Sequence, residues 1–480
     1  MQKLIQNIKE LKFYETLRHG SVYLFSYVAV QVLMVFTLPL FTKLLTPADF
    51  GVYEVFNNTV RILAIFLSLN LFNGFYRFYF DTNYDKKLLM QFLLRNSILI
   101  FLIGSIILFF VRKPLFQLIN LPLEVFYFLV IAVFSNIIFS YFNVYNNAQQ
   151  LSTRAGVWQF MYQLCRVIGS LLFVLYISKN YYGRIAGENC TVLLLTFIIL
   201  VVYFRKYIGF SEKIEDKSAI VRYSVNLIPI GLSGFVLGYL DTIMINSYEG
   251  NNDAGLYSYA YKIAVIYSGV TTSFITANRP KLFQLLNDKK ENEVIDQMRS
   301  MFKLITTLSC FFIFFSADAG RFLALNKAFH VSMRLMPVLI LSYIINDINE
   351  VYSFYLHYER KVKYFYISFA TAAVINIVLN LIFIPKYGYI AAAYTTLVSY
   401  GFMTLCTYII CKKLIDARVP AVIRFLDYLL IIGLALISNY VLNQYFVNWW
   451  LQVAIKCTVY ISVLLYLWRN IIQRFLSLNK

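Results

Sequence analysis

The sequence is short of charge. Only 14% of its 480 residues are Asp, Glu, Lys or Arg, where soluble domains carry about 25%. Histidine is scarcer still: His19, His330 and His357 stand far apart in the chain and form no HExxH or comparable ligand cluster. The cysteines Cys165, Cys190, Cys310, Cys406, Cys411 and Cys457 lie inside or at the ends of apolar runs, without zinc or redox spacing. They read as small packing residues. No GxxxxGK[ST] run occurs, so neither a P-loop nor direct use of ATP is expected. A cleavable leader is not expected either, because MQKLIQNIKELKFYETLRHG is polar and charged and the first apolar run is too long for an h-region.

What fills the chain instead is apolar surface, with 60% hydrophobic and 18% aromatic residues. A bilayer is crossed by about 20 apolar residues, and runs of that length recur from end to end. The fold class expected is an all-α integral membrane protein of about fourteen transmembrane helices. The spans fall near 20–41, 50–73, 90–111, 123–145, 157–178, 185–204, 222–246, 255–277, 301–318, 335–356, 364–385, 389–411, 425–443 and 449–468.

A net charge of +19 could suggest nucleic acid. The distribution points elsewhere. With the N-terminus inside, the inner loops and tails collect Lys3, Lys9, Lys12 and Arg18, Lys86 and Lys87, and the basic residues of 205–222, 279–303, 360–363 and 412–424. The outer loops keep few, among them Lys43, Arg112, Lys179, Arg184 and Arg321. That is the positive-inside asymmetry, and it places both termini in the cytoplasm with no nucleic-acid partner.

The chain also repeats itself. Asp49-Phe50-Gly51-Val52-Tyr53 returns as Asp253-Ala254-Gly255-Leu256-Tyr257, and Tyr182-Gly183-Arg184-Ile185-Ala186 returns at nearly the same separation as Tyr387-Gly388-Tyr389-Ile390-Ala391. The repeat spans an even number of crossings, so the halves run parallel, which is a transporter architecture. The organisation expected is an amphipathic cytoplasmic segment 1–19, an N-lobe 20–204 with spans 1–6, and a cytoplasmic linker 205–221. A C-lobe 222–411 with spans 7–12 follows, then appended spans 13–14 and a tail over 412–480. The repeated segment itself reads as a helix start. Thr46-Pro47-Ala48-Asp49 offers an N-cap, a proline and an acid three residues on, and Asn251-Asn252-Asp253 can cap the later helix.

Three stretches carry a family resemblance. Lys43-Leu44-Leu45-Thr46-Pro47-Ala48-Asp49-Phe50-Gly51-Val52-Tyr53 is the first. Gly238-Tyr239-Leu240-Asp241-Thr242-Ile243-Met244-Ile245 with Ala254 to Lys262 is the second, and Pro385 to Ala393 the third. In order and spacing the chain resembles the Wzx-type oligosaccharide-lipid flippases of the multidrug/oligosaccharidyl-lipid/polysaccharide, MATE-like, superfamily. The resemblance implies two six-helix lobes in a V, alternating access, and an undecaprenyl-pyrophosphate-linked oligosaccharide as cargo, as in O-antigen assembly. It also implies a monomer in the bacterial cytoplasmic (inner) membrane, in contact with membrane lipids and with glycan polymerase or assembly proteins. Asn278-Arg279-Pro280-Lys281 departs from the plain apolar run ending in proline that is usual in the family after span 8, at the cytoplasmic gate.

Charge at bilayer depth is expensive, so it tends to meet a cavity or a partner. Four cations are that deep, Arg61, Arg166, Lys262 and Lys456, and so are the acids Asp241, Asp347 and Glu350. In span 2, Glu54, Asn57, Asn58, Arg61 and Ser68 share a helical face; Ser258, Lys262, Gly269, Thr272 and Thr276 do so in span 8. The repeat aligns Lys262 with Asn58, one turn from Arg61. Facing stripes would form a cationic cavity in which Arg61, Lys262, Arg166 and Asn58 bind an anionic substrate, arginine clamping phosphate bidentately. The structural alternative pairs Arg61 with Glu54 and Lys262 with Asp241. Lys456, in the appended pair, reads as snorkelling or locally paired. Asp347 and Glu350, with Asp241 and Glu54, form a charge network that either couples H⁺ or Na⁺ or simply neutralises the cations. Pro39 and Pro229 would bend spans 1 and 7.

No catalytic residue, metal or cofactor is expected. A drug exporter on the same fold would want an acidic or aromatic cavity, and a lipid II flippase would share the pyrophosphate. A glycan polymerase or glycosyltransferase would want acids in a sizeable outer loop, and the outer loops are short.

Overall fold

The computed structural model describes residues 29–207, 216–415, 425–445 and 448–478, and among these the chain is helical with no strand. The predicted segment 1–19 and parts of the loops 205–221 and 412–424 lie outside the described residues. An apolar chain in lipid must satisfy every backbone N–H and C=O within its own segment, and a helix does so.

The helices are α1 (Ala29–Leu44), α2 (Pro47–Ser68), α3 (Lys86–Leu118), α4 (Phe126–Ala148), α5 (Ser152–Tyr176), α6 (Tyr181–Tyr207) and α7 (Lys217–Glu249). After them come α8 (Asn251–Asn287), α9 (Glu291–Leu323), α10 (Lys327–Tyr358), α11 (Val362–Tyr387), α12 (Tyr389–Ile415), α13 (Leu426–Tyr445) and α14 (Trp449–Leu478). A short helix, Leu71–Phe78, follows α2. Among the described residues, twelve helices are long and apolar enough to cross a membrane. The other two, α1 and α8, fall where the sequence expects the first and eighth spans; α8 is long but rich in polar residues. Several helices outrun their expected spans. Hydropathy marks the hydrocarbon crossing alone, whereas α9, at 33 residues, runs roughly 50 Å, beyond a core of about 30 Å.

The chain divides into two compact units, Met1–Gly255 and Leu256–Lys480. In the first, α2 starts as its sequence predicts. Thr46 Oγ1 accepts from the Asp49 N–H at 3.2 Å, and Asp49 Oδ2 accepts from the Thr46 N–H at 3.0 Å, a closed capping box. The other oxygen of Asp49 accepts from the Tyr181 N–H at 3.1 Å and so ties the start of α6 to that of α2. The later repeat begins differently: α8 is already helical at Asn251, directly after Gly250 with φ +92°, so no asparagine side chain is placed to cap it as expected.

The repeat glycines do more than open helices. A Cβ on Gly51 would lie 1.9 Å from the Asn251 carbonyl oxygen, and one on Gly255 would lie 1.8 Å from that of Pro47. The first turns of α2 and α8 therefore touch backbone to backbone. A second close approach joins α5 to α6, where a Cβ on Gly187 would meet the Gly169 carbonyl at 2.2 Å.

Helix α7 is broken twice. Pro229 stands in the first turn of Ile228–Phe235, just after the segment Lys217–Asn226 ends, so the α-helical ladder is interrupted where the sequence places the proline. Beyond it, Val236–Leu240 forms a π turn before α-helix resumes at Asp241. Pro39, by contrast, leaves α1 continuous.

In the second unit α10 and α11 pack against α12. A core of Ile275, Met301, Ile305, Tyr352, Leu356 and Cys411 is buried beside it. The appended α14 is fastened to α9 by a buried ion pair, Lys456 Nζ to Asp318 Oδ2 at 2.7 Å, with Lys456 only 1% exposed. The Trp468 Nε1–H donates to Thr307 Oγ1 at 3.2 Å nearby. Local pairing, rather than snorkelling, thus accounts for Lys456.

Candidate functional site

Helix α2 carries a run of polar residues at mid-length, and their expected single stripe is divided between two neighbours. Asn57 Oδ1 accepts from Arg166 Nη2 on α5 at 3.2 Å. One residue on, Asn58 Nδ2 donates to the Tyr239 carbonyl on α7 at 3.4 Å. Adjacent residues on a helix point about 100° apart, and α2 lies between the two helices they reach.

On the α5 side the charge is answered. Glu188, from α6, takes Arg166 Nε at 2.7 Å and Arg166 Nη2 on one oxygen. Its other oxygen accepts from the Tyr53 hydroxyl at 2.5 Å. The close approach of Gly169 and Gly187 brings the α5 and α6 backbones together one turn from Arg166 and beside Glu188. Arg166 is therefore a member of a closed network. Below it Arg184, expected in an outer loop, is buried at 6% exposure. Its guanidinium lies 3.5 Å from the Tyr53 ring centre and 4.0 Å from that of Phe41. Cation–π contact replaces water there.

On the α7 side the charge is not answered. Arg61 is exposed, and among the described residues it forms no ion pair, with Glu54 or any other acid. Its guanidinium instead covers the Tyr239 ring at 4.2 Å. Glu54 and Asp241 are buried, Lys262 is half-buried on α8, and each is engaged by a neighbour.

The second unit carries the acids. Asp347 is fully buried on α10 and accepts from the Tyr267 hydroxyl at 2.8 Å and the Thr271 hydroxyl at 3.0 Å, both on α8. Tyr267 Oη also lies 3.0 Å from Ser309 Oγ on α9. Among the described residues Asp347 meets no cation within ion-pair distance. Glu350, one turn on, faces α8 as well, with Arg279 Nη2 at 3.8 Å. Arg279 covers Phe354 at 5.0 Å, and Asn278 Oδ1 accepts from Gln297 Nε2 at 2.8 Å. The departure at 278–281 thus fastens α8 onto α9 and α10, and α8 passes through Pro280 unbroken.

Sequence reasoning missed Glu188, Arg184, Asp318 and Tyr239. The first three lay in or beside runs read as apolar or as loop, and their pairing is set by helix contacts rather than local spacing. A signal for Glu188 existed in its being an acid inside span 6. Among the described residues no group of three His, Cys, Asp or Glu could hold a metal ion.

Comparison with known proteins gives the arrangement a frame. A family model described as polysaccharide biosynthesis protein matches residues 16–286, and one described as MatE matches residues 229–382. No curated protein matches the sequence. Among solved structures, the lipid II flippase MurJ in an inward closed conformation is 17% identical, with a TM-score of 0.70 over 94% of this chain and 100% of that one. An inward-facing multidrug resistance MATE family transporter of the MOP superfamily is 12% identical, with a TM-score of 0.63 over 83% of this chain and 95% of that one. A MOP superfamily transporter from Pyrococcus furiosus is 11% identical, with a TM-score of 0.53 over 85% of this chain and 96% of that one. These likenesses show a shared fold.

Proposed function

Because the chain belongs to the polysaccharide biosynthesis protein family, matched over more than half its length, we propose that it flips an undecaprenyl-pyrophosphate-linked oligosaccharide across the bacterial cytoplasmic membrane by alternating access. The multi-pass helical fold shared with a lipid flippase and with MATE transporters supports this reading. The observation that carries it is Arg61, an intramembrane guanidinium with no acid against it among the described residues. An uncompensated cation at that depth is costly unless an anion visits it. A pyrophosphate offers the oxygens that a guanidinium edge binds two at a time.

In this reading Arg166 supports the site from within its closed network, Asn58 supports Arg61 from the same helix, and Lys262 is a second cation for the anionic cargo. Asp347, with Glu350, serves the coupling ion, H⁺ or Na⁺, with hydroxyls arranged to receive it. Both termini lie in the cytoplasm, the chain acts as a monomer, and glycan polymerase or assembly proteins meet it in the membrane. The reaction is transport with no bond made or broken.

The test is surface glycan in a bacterium lacking its own oligosaccharide-lipid flippase, with membrane levels verified. Restoration by the wild-type chain supports the reading. Asp347→Asn keeps one acceptor oxygen and turns the other into a donor, so one of the Tyr267 and Thr271 hydroxyls must rotate to accept. It is expected to cost about 1–2 kcal/mol of stability while removing the response of transport to an imposed ion gradient. An unaltered gradient response would move coupling elsewhere.

The match of residues 229–382 to MatE favours a second reading, export of small amphiphiles. Raised drug resistance without glycan restoration would select it.

A further inference from the structure

We infer that Tyr239 is a positioning residue for Arg61, held by Asn58, so that the anion site rests on a residue of α7 that does not itself touch the cargo. The inference depends on the proposed role of Arg61 and deepens it.

The geometry is specific. A guanidinium has two kinds of surface: its faces meet aromatic rings, and its edge carries five N–H donors in one plane. Arg61 places its carbon 4.2 Å from the Tyr239 ring centre, which uses a face. No hydrogen bond from Arg61 to a described residue is present, so the edge is left for an anion. A long arginine side chain otherwise samples many rotamers, and ordering it costs up to about 2 kcal/mol. Seating it on a ring beforehand moves that cost out of the binding step.

The ring is held in turn. Tyr239 belongs to the π turn Val236–Leu240, a rare widened turn that interrupts the α-helical ladder. Its carbonyl accepts from Asn58 Nδ2 at 3.4 Å, and its ring lies 6.0 Å from that of Phe235, one turn earlier. Asn58 and Arg61 are three apart on α2, hence on one side of it. Together they grip one residue, the first at its backbone and the second at its ring. Asn58 is 5% exposed and turns its Nδ2 to the Tyr239 carbonyl, so in this proposal it acts on the cargo through Tyr239 rather than by contact.

The experiment uses the full chain in nanodiscs and measures affinity for undecaprenyl pyrophosphate, with surface glycan and thermal midpoint read in parallel. Tyr239→Leu is expected to bind roughly 3- to 30-fold more weakly, the range of a partly desolvated cation–π contact. Tyr239→Phe, which keeps the ring, recovers affinity to within about twofold. Adding Tyr239→Leu to Arg61→Ala produces no further loss, because the ring then has nothing to position. A merely structural tyrosine would give additive losses. If Tyr239→Leu does not accumulate, Tyr239→Met takes its place, flexible and without a π face.

Wild-type affinity in Tyr239→Leu, or equal losses in Tyr239→Leu and Tyr239→Phe, would overturn the positioning role while leaving the anion site standing. Wild-type affinity in Arg61→Ala would overturn the anion site itself.

Discussion

Two arginines reach α2 from opposite circumstances. Arg166 comes from α5 and finds Glu188, Asn57 and Gln163 waiting, so nearly every donor on it is used. Arg61 belongs to α2 itself and, among the described residues, finds the face of Tyr239 alone. Both looked alike as intramembrane cations on polar helices. The difference teaches that depth alone does not mark a binding residue: the donors left over after the protein has satisfied itself do. A fully bonded charge holds helices together, and an underbonded one is available to a ligand.

The comparison can be broken first at Glu188. Removing one partner of a mostly buried pair leaves the other uncompensated, so Glu188→Ala is expected to lower stability by about 3 kcal/mol, near the lower end for such pairs because Arg166 keeps some exposure. Thermal unfolding of purified protein in detergent reads it, and Arg166→Met with Glu188→Leu together should recover most of the loss. If the single and double changes melted alike, the network would not be the fastener described. Arg61→Ala sharpens the other side. It should cut glycan export about 10- to 100-fold, the worth of hydrogen bonds to a charged group, while the melting midpoint stays put. Arg61→Lys should recover only part, since a point charge lacks the planar fork. A destabilised Arg61→Ala with normal export would erase the distinction between the two arginines.

The smallest effect is expected at Lys456, the buried cation of the appended pair. Lys456→Ala leaves Asp318 beside Arg321, whose Nη1 is 3.2 Å away, so its carboxylate keeps a partner. A loss of about 1–2 kcal/mol on thermal unfolding should follow, with little change in export. An export defect larger than that of Arg61→Ala would place the appended helices in the transport path.

Most of the fold was legible because hydrophobic length and charge asymmetry are properties of single segments. The repeat even located α8, whose run of Asn, Ser, Thr and Lys keeps it from standing out as a membrane helix by hydropathy. The candidate site was legible in part for the same reason: Arg61, Asn58 and Asp347 announced themselves as polar residues at helical spacing within apolar runs. The partners did not. Glu188 reaches Arg166 because two glycines let α5 and α6 close up, and Arg184 is buried because Phe41, Phe50 and Tyr53 converge on it from two other helices. Nor does any local pattern announce the π turn that carries Tyr239.

The paired glycines have a consequence for heredity rather than for packing. A methyl group at Gly51 collides with the opening turn of α8, and one at Gly255 collides with the opening turn of α2. Each clash pries apart the same two backbones, so the damage done by Gly51→Ala is already most of the damage that adding Gly255→Ala can do. The two positions are expected to act as a unit: a lineage that has lost one of these glycines gains little by keeping the other, and one that has lost both recovers only when both return.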